Sequence, residues 1–247
     1  MEESLKQIAI NTAPKKSYSI ILSSNTTDFT TTISPPIQLR SDNWAIGLIN
    51  LTTYNSIFNI TAINNIFRYN NSTVWKVITL NPGAYEITDI NNEIQRQLTL
   101  NGDSGISIII NQPTLGSIVN ITGAGYQVDF TVVNSIGSTL GFNPVLLTTG
   151  YNISPNPVNI LSISSLLVNC SIIKDSYLNS SPYQTLYSFF PNVSPGYKVV
   201  ETPINIVYLP VISRDITSIR IWITDQDGNI VSLNGENIFL RLEIKRL

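Results

Sequence analysis

Four oxygen-bearing side chains near the end of the chain have the spacing of a calcium-binding loop. With Asp225 at position one of such a loop, Asp227 and Asn229 take positions three and five. Glu236 then takes position twelve, where calcium loops have an acidic ligand. Position six is Ile230, however, where the sharp bend of the loop needs glycine. The four residues are therefore a weak calcium candidate.

The same stretch has the features of a tight turn. Asp227-Gly228 lies between two alternating apolar runs, IRIWIT and NIFLRLEI. An Asp-Gly pair in this setting is a strong short-range signal for a β-hairpin. Calcium loops of this type lie between helices, whereas both flanks here alternate like strands. We therefore predict a turn in a hairpin and keep calcium binding as the alternative.

Other catalytic chemistry has little support in the sequence. The chain has no histidine, so it lacks the commonest general base, and Cys170 is its only cysteine. Cys170 lies in the apolar run SSLLVNCSII, which predicts a buried and unreactive thiol. Carboxylate pairs such as Glu86 with Asp89 are unavoidable among sixteen acidic residues. We predict that the protein is not an enzyme and uses no cofactor and no small-molecule substrate.

The chain carries little charge for its length. Charged residues make up 12% of it, against about 25% in typical soluble domains. Asn, Ser and Thr supply the remaining polarity, and such a surface suits a protein that packs against copies or partners. AT-rich codons for Asn and Ile explain the same composition equally well. Because the net charge is −2, there is no overall basic field, and we do not expect nucleic-acid binding.

The beginning of the chain differs from the rest. Residues 1–16 lack strand periodicity, and we predict a flexible or partner-bound arm made locally basic by Lys15 and Lys16. The first residues do not have the charge order of a secretory signal, and no uninterrupted apolar run approaches ~18 residues. We therefore expect synthesis in the cytoplasm, no secretion and no membrane span.

Two distant stretches have the clearest strand patterns. Residues 42–60 and 218–246 both alternate with period two, and the first is almost uncharged on both faces. We predict that they form one β scaffold. Strand-length segments at about ten-residue intervals predict an all-β sandwich or jelly roll over 17–74 and 149–247. Residues 75–148 contain the one clear helical spacing and predict a small α+β insertion, with apolar positions at Ile87, Ile90, Ile94 and Leu98.

Two patterns predict places where subunits touch. Apolar residues between 55 and 71 recur with period two and include Tyr69, and the pair Asn64-Asn65 interrupts them. Asparagine tolerates turn conformations, so this pattern predicts a surface hairpin with an asparagine tip.

The adjacent residues Phe189 and Phe190 form the second pattern. Neighbouring residues of a strand point to opposite faces, so one of the two rings is exposed unless a partner covers it. We expect a subunit contact at the loop of residues 188–198.

The order of several short motifs gives a resemblance that covers residues 18–246. The motifs are LRSDNWAIGL (39–48), Asn59-Ile60, Asn64-Asn65, PGAY (82–85), LGF (140–142), YLPV (208–211) and IWITDQDGNIVSLNGE (221–236). In this order the chain resembles the penton or minor capsid proteins of Polinton-like elements, adintoviruses and virophage-like viruses.

The resemblance implies a single jelly roll that forms a pentamer at the vertices of an icosahedral capsid. It also implies that the major capsid protein of the same shell is a partner, that the mature location is the virion, and that no catalytic residues are present. On this hypothesis the subunit contacts include Asn64, Asn65, Tyr69, Phe189, Phe190, Lys15 and Lys16. The alternative from another class is a β-sandwich adhesin that binds a carbohydrate or a receptor.

Overall fold

A computed structural model describes residues 17–40, 43–160 and 163–247. The chain divides into two compact units: one holds the described residues up to Ser56 together with Ile163–Leu247, and the other is Ile57–Ser162. The strands are, in chain order, β1 (Ser17–Ser24), β2 (Asp28–Gln38), β3 (Trp44–Tyr54), β4 (Ile66–Asn71), β5 (Trp75–Thr79), β6 (Ile106–Asn111), β7 (Gly116–Ile121), β8 (Tyr126–Asp129), β9 (Leu146–Thr148), β10 (Gly150–Ile153), β11 (Leu166–Cys170), β12 (Ser176–Leu178), β13 (Ser181–Tyr183), β14 (Thr185–Phe189), β15 (Lys198–Glu201), β16 (Leu209–Pro210), β17 (Asp215–Thr224) and β18 (Ile238–Arg246). The α-helix of the described residues is α1 (Ile87–Leu100).

The first unit is a jelly roll made of two antiparallel sheets. The first sheet has the order β1-β18-β3-β15, with β16 also paired to β3, and the second has the order β14-β11-β17-β2. The eight longer strands of the unit are, in chain order, β1, β2, β3, β11, β14, β15, β17 and β18. Numbered one to eight, they give the orders 1-8-3-6 and 5-4-7-2, which is the strand exchange of a jelly roll. The predicted fold class is confirmed: an all-β single jelly-roll β-sandwich that carries a small α+β unit with one helix.

The pairing of β3 with β18 joins the two stretches that the sequence singled out. Their ladder runs from Phe239 opposite Thr52 to Arg246 opposite Trp44. Alternate residues of β18 face the interior and are buried, as the period of two predicts. Trp222, in β17, lies in the second sheet of the same unit. The prediction that both stretches belong to one scaffold is confirmed for their strands, whereas residues 57–60 of the first stretch belong to the second unit.

The predicted hairpin at Asp227-Gly228 is wrong, although the turn itself is present. β17 and β18 do not pair, because they belong to opposite sheets of the sandwich. An isolated bridge between Thr224 and Ile230 closes the turn, and the chain then crosses to the first sheet. An Asp-Gly pair specifies a local reversal. It does not specify which strand the next segment pairs with.

The second unit combines the helix with two small sheets. Their orders are β10-β7-β6 and β5-β4-β8-β9. The predicted insertion limits at 75 and 148 differ from the structure, because β4 pairs with β5 and β8, and β10 pairs with β7. The predicted hairpin over 55–71 is wrong for the same reason: only its second half is a strand, and that strand pairs with later ones.

The helix has its predicted position and buried face. The residues at the four predicted apolar positions are buried in the core of the second unit. The N-cap is Glu86, whose backbone N–H donates to the Asp89 carboxylate at 3.0 Å. This helix is not long and apolar enough to cross a membrane, and it is the one α-helix in the part of the chain that the structure describes.

Candidate assembly surface

The outer face of the first sheet exposes several large apolar side chains. Across its four strands, Ser23 of β1 is opposite Phe239, Phe239 is opposite Thr52, and Thr52 is opposite Val200. Side chains directly opposite each other on one face lie about 5 Å apart. Phe239 is 38% exposed and Val200 is 63% exposed. Phe239 and Val200 therefore lie on the same uncovered face, on either side of Thr52.

Neighbouring positions on the same face extend this surface and add positive charge. Ile21 lies opposite Arg241, and Tyr54 lies opposite Lys198. Ile21 is 60% exposed and Tyr54 is 41% exposed. We call these exposed residues the outer patch; it consists of Ile21, Tyr54, Lys198, Val200, Phe239 and Arg241.

The other half of this face is covered by the chain itself. A Cβ atom at Gly47 would lie 2.6 Å from Ile206 and 3.1 Å from the Tyr208 ring, so only glycine fits there. The Tyr208 hydroxyl donates to the Glu243 carboxylate at 2.6 Å. The Lys245 ammonium lies 3.5 Å from the centroid of the Tyr208 ring. This half of the sheet is closed, which leaves the outer patch as its open half.

Hydrogen bonds at the end of β3 fix the loop of residues 190–197. The backbone N–H of Asn55 donates to the carbonyl of Tyr197 at 2.9 Å, and the N–H of Gly196 donates to the carbonyl of Asn55 at 2.7 Å. The Asn55 amide also donates to the carbonyl of Val193 at 2.8 Å. This loop is therefore anchored to the first sheet.

The loop of residues 225–237 is fixed at the same end of the sandwich. Ser56 donates through its hydroxyl to the carbonyl of Leu233 at 2.6 Å, and the Asn234 amide donates to the carbonyl of Ser56 at 2.6 Å. We call this segment the acidic loop, because it contains three acidic residues and no Lys or Arg.

The structure does not bring the four calcium candidates together. The Asp225 carboxylate accepts hydrogen bonds from the backbone N–H groups of Asp227 and Asn229, both at 2.9 Å. Partial burial raises the pKa of Asp225, but the hydrogen bonds from Asn229 and Asp227 outweigh it, so the pKa lies below its usual value. Among the described residues there is no group of three His, Cys, Asp or Glu side chains that could hold a metal ion, so Glu236 does not complete a site. Asp225 instead stabilises the predicted turn.

The alternation predicted for the two phenylalanines is confirmed. Phe189 is 8% exposed and stacks on Tyr187 with ring centroids 6.4 Å apart, whereas Phe190 is 45% exposed. Phe189 is therefore a core residue and not an interface residue. Phe190 is the first residue of the anchored loop of residues 190–197, and its place in an interface stays a prediction.

The asparagine pair proposed as a contact has an internal role. Asn64 accepts from the Thr61 backbone N–H at 2.7 Å and donates to the carbonyl of Asn59 at 2.8 Å. Asn65 is buried and donates to the carbonyl of Leu80 at 2.9 Å. These side chains stabilise an irregular segment of the second unit. The buried Asn65 is not exposed for a subunit contact, whereas a contact at the partly buried Asn64 stays a prediction.

Tyr69 is likewise internal, and the last two candidates are outside the described chain. The Tyr69 side chain is fully buried, and its hydroxyl donates to the Asp103 carboxylate at 2.7 Å. It cannot contact another subunit without unfolding the core. Lys15 and Lys16 lie outside the residues that the structure describes, and their role stays a prediction.

The outer face of the second sheet is polar and acidic. Arg220 donates through two nitrogens to the Asp28 carboxylate, at 2.8 and 2.7 Å, and its guanidinium lies 4.9 Å from the centroid of the Trp222 ring. These hydrogen bonds hold the pKa of Asp28 below its usual value. Asp215 is also exposed on this sheet. The strands of the second sheet carry two acids, Asp28 and Asp215, and one base, Arg220.

The opposite charge prevails on the first sheet. Its two acids, Glu201 and Glu243, each accept a hydrogen bond of 2.6 Å from a tyrosine hydroxyl. The basic residues of its strands outnumber them and are Lys198, Arg241, Lys245 and Arg246. The two sides of the jelly roll therefore differ in the sign of their charge.

Burial shifts the pKa values of two further groups, Tyr208 and Cys170. Burial, with a smaller effect of Glu243, raises the pKa of Tyr208 to about 12. Burial also raises the pKa of the Cys170 thiol to about 11, so the thiol is protonated at neutral pH. Neither group is poised for acid-base or nucleophilic chemistry.

These features define a jelly-roll protein with an open apolar and basic patch on one sheet and an acidic opposite side. Among solved structures, the fold is similar to that of the mavirus penton protein, with a TM-score of 0.52 and 10% identity over 94% of this chain and 100% of that one. A structure of the Sputnik virophage matches with a TM-score of 0.44 and 14% identity over 95% of this chain and 98% of that one. No protein-family model and no curated protein matches the chain. The predicted resemblance to capsid proteins of virophage-like viruses is thus confirmed at the level of the fold.

Proposed function

We propose that the protein is a structural capsid protein that assembles with copies of itself, as a pentamer, at the vertices of an icosahedral virus shell. The observation that carries this proposal is the outer patch. Four large apolar side chains, one from each strand, are exposed on the open face of a sheet, where a monomeric protein rarely has a contiguous apolar patch. The similarity of the fold to that of a viral penton protein supports the same function.

Burial of the outer patch would drive association. Each Å² of apolar surface removed from water contributes roughly 25 cal/mol, and the exposed parts of four large side chains meet here. A contact between two different surfaces of the same chain, repeated around an axis, closes into a ring. A pentamer is one such ring. Its neighbour in a complete shell would be the major capsid protein, and its location the virion.

The mass of the purified protein tests this function. We expect sedimentation-velocity and sedimentation-equilibrium experiments to give five times the subunit mass of 27.3 kDa. A glycan array on the same sample distinguishes the alternative of an adhesin. A monomer at all accessible concentrations would overturn the capsid proposal, and glycan binding by that monomer would favour the adhesin.

A further inference from the structure

We propose, on the basis of the proposed function, that the outer patch of one copy binds the acidic loop of the next copy in a head-to-tail contact. The patch combines apolar side chains with the exposed cations Lys198 and Arg241 and contains no acid. The partner that fits it must present an apolar group beside negative charge.

The acidic loop has this combination. Ile230, at the base of its Asp225-centred turn, is 51% exposed, and Asp227, three positions earlier, is exposed as well. Its hydrogen bonds to Ser56 and its Asp225-centred turn hold the loop in one conformation. A loop that is already ordered loses little conformational entropy when it binds.

Charge decides between this contact and a symmetric one. If two outer patches faced each other, Arg241 and Lys198 of one copy would approach the same cations of the other copy, and like charges would repel. Contact with the acidic loop brings opposite charges together instead. The patch therefore fits a different surface of a second copy better than it fits itself.

The positions of the two surfaces also allow a closed ring. The acidic loop leads directly into β18, where Phe239 is the second residue, and Tyr54 is the last residue of β3. Both surfaces therefore lie at the same end of the sandwich. A rotation without translation along the axis relates the subunits of a ring, and it keeps this end of every subunit at the same height along the axis. A contact between two surfaces at the same end is therefore compatible with a closed ring instead of a helical filament.

Charge reversal tests the contact. In the full chain, Arg241→Glu and Asp227→Lys should each raise the dissociation constant of the oligomer by about tenfold or more, as measured by sedimentation. The double variant Arg241→Glu with Asp227→Lys should restore association. The matched controls are Lys174→Glu and Asp215→Lys, which change exposed charges at the other end of the sandwich and should leave the mass unchanged. Thermal melting confirms that each variant is folded.

Each outcome has a definite meaning. Loss of association in both single variants and its return in the double variant support the contact. An oligomeric wild type that neither single variant changes, a double variant that stays dissociated, or an equal effect of the controls would overturn it and leave the proposed function intact. A wild-type monomer would overturn both.

Discussion

Asp103 shows how a single carboxylate stabilises the second unit. It accepts hydrogen bonds from the Tyr69 hydroxyl at 2.7 Å, the Asn71 amide at 3.0 Å and the Lys76 ammonium at 2.7 Å. Burial raises the pKa of Asp103, but these donors outweigh it and lower the pKa to about 2. The side chain links the segment after the helix to β4 and β5.

The shifted pKa predicts a dependence of stability on pH. Because the pKa of Asp103 in the folded state is below its usual value of 3.8, its stabilisation is complete above about pH 4. It is lost as the pH falls towards 2. We expect Asp103→Asn to lower the free energy of unfolding by about 2 kcal/mol at pH 7. In urea denaturation, the free energy of unfolding of the variant should also change less than that of the wild type between about pH 4 and pH 2.

The control for this prediction is the exposed ion pair of Asp28 with Arg220. Exposed pairs contribute little to stability, so Asp28→Asn should have a clearly smaller effect at pH 7. Equal losses of unfolding free energy in Asp103→Asn and Asp28→Asn would contradict the prediction that the three hydrogen bonds to Asp103 stabilise the fold more than an exposed ion pair does.

The exposure of a single residue can be predicted from the sequence only when the residues it contacts are close to it in the chain. Alternation within one strand was enough to predict that only one of Phe189 and Phe190 is exposed. It was not enough for Tyr69, whose hydroxyl binds a carboxylate 34 positions away. Period two gives the two faces of a strand. It does not show which face of β4 packs against the core.

The helix and the edge strand β6 form the element most open to a direct test. Two side chains of α1 reach the backbone of this edge: Asn91 accepts from the Ile108 N–H at 2.9 Å, and Gln95 donates to the carbonyl of Ile106. A free strand edge is prone to pair with other chains, and these amides cover part of it.

We predict that Asn91→Ala leaves the Ile108 N–H without a partner and lowers the free energy of unfolding by about 1–2 kcal/mol. Hydrogen exchange of the Ile108 amide should accelerate relative to the wild type. Asn92→Ala, on the exposed side of the same helix, is the matched control and should change neither quantity. Unchanged exchange at Ile108 in the Asn91 variant would show that the helix does not protect this edge.

At the scale of elements, the spacing of apolar residues predicted well whether a segment is a helix or a strand. It predicted poorly which strands pair with each other. The helix is present because four apolar residues at helical spacing define one buried face. The hairpin at Asp227-Gly228 failed because β18 finds its partners in β1 and β3, far away in the chain. Sheet partners are chosen by tertiary packing, and no local pattern encodes them.

For the whole molecule, the ends of the chain were easier to predict than its middle. The pairing of β3 with β18 follows from two apolar strands that must both be covered. The extent of the second unit did not follow, because the segment before β4 is irregular and is held by Asn59 and Asn64 through hydrogen bonds to backbone groups. Asparagine at such positions resembles any surface turn in the sequence.

Residues 1–16 lead to the last prediction, which concerns assembly. Lys15 and Lys16 precede β1, which begins at Ser17 opposite Lys245, so removal of 1–16 leaves every strand that the structure describes. If the arm binds a neighbour in the shell, its deletion should lower incorporation into shells reconstituted with the major capsid protein and leave Tm and the mass of the isolated oligomer unchanged.

The full chain with Lys15→Glu and Lys16→Glu separates the effect of charge from that of length. A similar loss of incorporation means that the arm acts through its positive charge, whereas normal incorporation means that the arm acts through its other residues. Equal incorporation of the truncated and full-length proteins would exclude a role for the arm in assembly.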